Sequence, residues 1–110
     1  MCYTGRVRYW RELPEPERQR ALAEAEKYFA SFPLAPAGYR QPAGNDARNL
    51  RRQAEHDVLE KFDLPSNFSA RAREGLIASL IAAAINEQET GESYPDARLA
   101  DFHALLLKES

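Results

Sequence analysis

The sharpest chemistry in this chain belongs to one cysteine and two histidines. Removal of Met1 would leave the Cys2 thiol beside an α-amine titrating around pH 8, close enough to serve as its base. His56 and His103 fall on different helical stretches, and neither has a carboxylate at Glu-x-x-His spacing, so metal ligation is not expected. His103 lies among Leu99, Leu105, Leu106 and Leu107 and is expected to be a core histidine with one nitrogen satisfied; His56 is expected in solvent. No Gly-x-Ser-x-Gly elbow occurs, and the five glycines never cluster into a phosphate-cradling loop. The chain therefore reads as non-enzymatic and without a cofactor. Catalysis by Cys2 is kept as an alternative.

In the letters Met1-Cys2 alone the chain is similar to enzymes with an N-terminal cysteine nucleophile, the glutamine amidotransferases and a family that crosslinks to abasic DNA. That likeness would imply a larger mixed α/β domain, and neither family's remaining motif is present.

Arginine and aromatic residues form the second group. Twelve of the fifteen basic residues are Arg, a usage suited to a GC-rich bacterial genome or to a phage or plasmid carried by it. Arg6, Arg8 and Arg11 precede any acid, with Tyr3, Tyr9 and Trp10 interleaved, and Arg40, Arg48, Arg51 and Arg52 surround a single aspartate. From Glu87 onward the balance turns acidic. Arg and large aromatics are the usual anchors of protein interfaces. Arg6, Arg8, Tyr9, Trp10, Tyr39, Arg40, Arg48 and Arg52 are therefore the expected partner-binding residues. The expected role is that of a small regulator, adaptor or inhibitor that binds a protein. The alternative is nucleic-acid binding, with the arginines on phosphates and the aromatics on bases. A formal charge of −2 supplies no global pull toward nucleic acid or an anionic membrane.

The elements that must position these residues are helical. Pro14 and Pro16 suit the first turn of a helix running to Phe32, where Pro33 ends it. Its Ala21, Leu22, Ala25, Tyr28, Phe29 and Phe32 share an arc of roughly 120°. Residues 33–45 form a Pro/Gly-rich loop centred on Tyr39 and Arg40. A second helix, from an Asn45 or Asp46 cap to about Asp63, has Leu50, Ala54, Val58, Leu59 and Phe62 as its apolar side. A third starts near Ser66 or Ser69 and ends before Gly91. Apolar residues surround most of it, leaving Arg71, Gly75, Ser79 and Asn86 as a polar stripe, so it is expected to be buried at the centre. A fourth spans Pro95–Lys108, with Ser93 as its cap.

Residues 1–12 alternate like a short strand but have no second strand to pair with. They are expected to be extended, or else a single helical turn, and could join two copies into a homodimer. The expected fold is thus all-α: one compact four-helix domain over residues 1–110, with a buried third helix. Cys2 is the only cysteine, which excludes an intramolecular disulfide and suits a reducing compartment. No apolar stretch follows the early arginines as in a secretory leader, and the run Leu76–Ile85 is half the roughly twenty residues of a membrane span. A cytoplasmic location and no membrane contact are expected.

Overall fold

A computed structural model describes residues 9–34, 44–92, 94 and 96–108. The described residues form a 3₁₀ turn at Trp10–Glu12 and four helices: α1 (Glu15–Ser31), α2 (Asn45–Lys61), α3 (Ala70–Thr90) and α4 (Ala97–Leu106). The all-α class and the central place of α3, which packs against both α1 and α2, agree with the sequence pattern.

The N-terminal segment is helical rather than extended where it is described, because Glu12 and Leu13 donate their N–H groups back to the carbonyls of Tyr9 and Trp10. Trp10 lies at its start, buried at 7% exposure. Helix α1 begins with Glu15, Pro16 and Glu17, which need no N–H partner or favour the positive end of the dipole. Helix α3 is capped at both ends as its sequence suggests. The Ser69 hydroxyl accepts from the Ala72 N–H at 3.1 Å, and Gly91 adopts φ 83°, a left-handed conformation that costs a residue with a Cβ far more.

Three boundaries differ from the sequence reading. Asn45 is the first helical residue of α2 rather than its cap; Gly44, at φ 61°, takes the preceding position because the chain turns there through backbone space open to glycine. Helix α4 is shorter than Pro95–Lys108. Asp96 caps it by accepting from the Arg98 N–H at 2.8 Å, and its last turn gives way to an antiparallel bridge between Phe62 and Leu107. Around that bridge Asp63 N–H donates to Leu106 O and Lys108 N–H to Lys61 O, both at 2.9 Å, tying the ends of α2 and α4 together. The expected cap Ser93 and the expected first residue Pro95 lie outside the described residues.

The core contains Ala25 and Phe29 from α1, Ala54 and Val58 from α2, Ala72, Leu76 and Ile77 from α3, and Leu99, Phe102, Leu105 and Leu106 from α4. Two members of the expected polar stripe are buried instead. A Cβ on Gly75 would lie 1.7 Å from the Phe29 carbonyl oxygen, so this glycine is the point where α1 and α3 approach backbone to backbone. Ser79 is fully buried because its hydroxyl has two partners inside the bundle. The helices also cap each other. Arg71 donates to the carbonyls of Phe29 (3.3 Å), which also accepts the Phe32 N–H, and of Phe32 (2.8 Å) at the end of α1. Glu26 of α1 accepts from the Ser69 N–H at the start of α3, at 2.8 Å. Leu59, expected on the apolar side of α2, is 72% exposed. At 100° per residue it lies closer to Arg48 and Arg52 on the helical wheel than to Val58.

Candidate functional site

Four of the eight expected contact residues, Arg6, Arg8, Tyr39 and Arg40, lie outside the described residues, as does Cys2. The other four occupy two separate places.

Tyr9 and Trp10 meet Asp63, just past the end of α2. The Tyr9 hydroxyl and the Arg11 guanidinium both donate to the Asp63 carboxylate, and Trp10 Nε1 donates to the Asp63 carbonyl oxygen at 2.8 Å. The Arg11 guanidinium also lies 4.3 Å from the centre of the Trp10 ring. Arg11 holds the Asp63 carboxyl below the usual carboxylate range against the opposing effect of burial. Burial, followed by the bond to Asp63, raises the Tyr9 phenol. Trp10, expected among the exposed anchors, is therefore a core residue, and its neighbours are engaged within the chain. Asp63 was not among the expected site residues. A lone aspartate before Leu64-Pro65 carries no signal of a partner more than fifty positions away.

Arg52 and Arg48 stand on α2, roughly 16 and 22 Å along the helix from Asp63. Both are exposed. Neither pairs with a carboxylate among the described residues, whereas Arg51 between them is held by Glu74 of α3 through two contacts of 3.0 Å and by Glu55 at 3.2 Å. Glu55 and the exposed Leu59 continue the same stripe, so the basic face is interrupted by a carboxylate and an apolar side chain. A surface that tracks phosphates is more uniformly cationic.

A third place was not expected from the sequence. An open groove of about 540 Å³ runs along the C-terminal half of α1 beside α4, lined by Glu24, Lys27, Tyr28, Ser31, Phe32, Pro33 and Arg98. Its floor is aromatic. The Tyr28 ring meets Phe102 at 4.9 Å and Phe32 at 6.1 Å, tilted against both, and the Arg98 guanidinium lies 5.6 Å from the Tyr28 centroid and 5.5 Å from that of Phe102. Leu34, next along the chain, is 57% exposed. The signal was present in part. Tyr28 and Phe32 sit one turn apart at the edge of the apolar arc, but only the position of α4 decides whether that edge is covered.

The remaining titratable feature is internal. His103 is 1% exposed and shares a 2.8 Å bond between Nε2 and Ser79 Oγ. Because Ser79 donates its own proton to Leu76 O at 2.7 Å, the network assigns the ring proton to Nε2. Nδ1 is left without a partner. Phe29 stacks on the ring, while Phe62 and Tyr94 meet it edge-on. Burial lowers the His103 pKa to about 4, so the side chain is neutral near pH 7. One satisfied nitrogen in an apolar setting is the arrangement expected of a core histidine. His56 is exposed.

Among the described residues no group of three His, Cys, Asp or Glu could hold a metal ion, and no helix is long and apolar enough to cross a membrane. Comparison with protein-family models, with curated proteins and with solved structures gives no match.

Proposed function

We propose that this protein is a small, non-enzymatic helical interaction protein, a regulator, adaptor or inhibitor acting in the cytoplasm, that binds a protein partner through the α1–α4 groove. The observation that carries the reading is an aromatic floor (Tyr28 and Phe32) flanked by Lys27, Arg98 and the exposed Leu34. Arg and aromatic side chains at a concave surface are the composition in which binding energy concentrates. The two cations favour a partner segment that presents an apolar side chain next to a carboxylate. Pro33, the first residue of the Pro/Gly-rich segment, lines this groove.

Affinity capture from host cells, quantified by mass spectrometry, tests this with the wild type and the surface variant K27E/R98E/L34D. All three substitutions are outside the core, so both proteins should melt alike. A discrete set of partners retained by the wild type and lost from the variant is expected. An identical captured set would refute the reading.

A further inference from the structure

Helix α2 presents Arg48, Arg52, Glu55 and Leu59 along one stripe, at spacings of four, three and four residues. This is the spacing of a coiled-coil seam, and at 100° per residue the four side chains fall within about 60° of one another. All four are exposed, Leu59 at 72%. As a monomer's surface the stripe is costly: Arg48 and Arg52 are like charges one turn apart with no carboxylate partner among the described residues, and a large apolar side chain stands in water.

The stripe is also self-complementary. When two copies of α2 run antiparallel about a two-fold axis between positions 53 and 54, Arg52 faces Glu55 of the second copy and Glu55 faces its Arg52. In the outer layers Arg48 faces Leu59 of the second copy, where the aliphatic stem of the arginine covers the leucine while its charged head stays in water. Arg52 is thereby matched to a Glu55 that its own Arg51 also holds, and each exposed leucine is covered, by one register and no other within the stripe. A slip of one heptad in either direction removes the charge layers. The symmetry is that of an isologous dimer, the commonest closed assembly.

We infer that this face of α2 pairs with α2 of a second copy of the chain. The expected homodimer through residues 1–12 has no support in the described part of that segment, since Tyr9, Trp10 and Arg11 are all occupied by Asp63 of their own chain. The α1–α4 groove is a different surface, so pairing through α2 leaves it open. The stripe from Arg48 to Leu59 is about 17 Å long. That is at the low end for a specific interface, and the dimer should dissociate in the micromolar range.

Sedimentation equilibrium over a concentration series tests the pairing with the wild type, R52E, E55R, an equimolar mixture of the two variants, and R52E/E55R. The wild-type mass should rise with concentration from 12.5 kDa toward twice that value. Each single variant places like charges in both central layers and should weaken self-association by about tenfold or more. The mixture should restore pairing as a heterodimer, because one copy then carries Glu at both positions and the other Arg at both. The double variant should pair with itself. A wild-type mass constant at the monomer value overturns the inference. So does a dimer that the single variants leave unchanged, or one that they abolish and the mixture does not restore. Matching thermal melts across the set establish that a lost dimer is not a lost fold.

Discussion

His103 makes the stability of this fold depend on pH in a direction and over a range that the structure specifies. In the unfolded chain its imidazole titrates at about 6.5, whereas burial lowers its folded value to about 4. Below the unfolded pKa the unfolded state therefore binds the proton more tightly, and each drop in pH favours unfolding. The whole benefit of keeping the ring neutral is present above pH 6.5. It declines as the pH falls toward 4 and levels off below that. One pKa unit corresponds to about 1.4 kcal/mol, so the full loss is about 3 kcal/mol, with about 2 kcal/mol of it already gone at pH 5. The assay is urea unfolding at several pH values from 7.5 to 4.5, comparing the wild type with His103→Gln. The variant loses part of the Ser79 contact and is less stable at neutral pH, but it carries no titrating ring. The gap between the two curves should narrow as the pH falls, by about 2 kcal/mol between pH 7 and pH 5. Parallel curves would show that His103 is protonated as readily in the folded protein as in the unfolded one, and the buried, proton-free ring would be wrong.

Other perturbations act on single contacts. Gly75→Ala places a methyl group in the Phe29 carbonyl and must push α1 from α3, which should cost about 3 kcal/mol and lower Tm accordingly. Asp63→Asn weakens the acceptor shared by Tyr9 and Arg11. It should destabilise the protein by about 1 kcal/mol while shifting the emission of Trp10, the sole tryptophan, toward longer wavelength. Unchanged emission would mean that Trp10 is held by packing alone. Ser69→Ala removes the hydroxyl that caps α3 and should cost about 1 kcal/mol in urea unfolding, whereas Ser66→Ala, outside any helix, should cost almost nothing.

Periodicity and punctuation made the elements legible. Pro33 stops α1, Ser69 and Gly91 bracket α3, and the density of Leu, Ile and Ala between 76 and 85 marks the helix that the others cover. All of these act through the backbone of a few consecutive residues, so a linear reading can find them. The candidate sites were less legible. The arginines at 48 and 52 were visible as charge, but the stripe they form with Glu55 and Leu59 was concealed by assigning Leu59 to the core. Trp10 looked like an anchor because it sits among arginines, and the structure instead seats it in the core and engages its indole N–H with the Asp63 carbonyl. Neither outcome can be read without knowing which neighbour covers which face.

The amino-acid sequence by itself determined that the chain is helical, where most helices start and stop, and that its third helix belongs inside, because hydrogen bonding within a helix and the 3.6-residue period are local properties. Tertiary structure decided which polar residues are buried and which apolar ones are left in water. Gly75 and Ser79 read as a polar stripe until α1 and α4 come to lie against them, and Leu59 read as core although it is left exposed. Burial is a property of pairs of surfaces, and the pairing of surfaces distant in the chain is set by packing that no local pattern encodes.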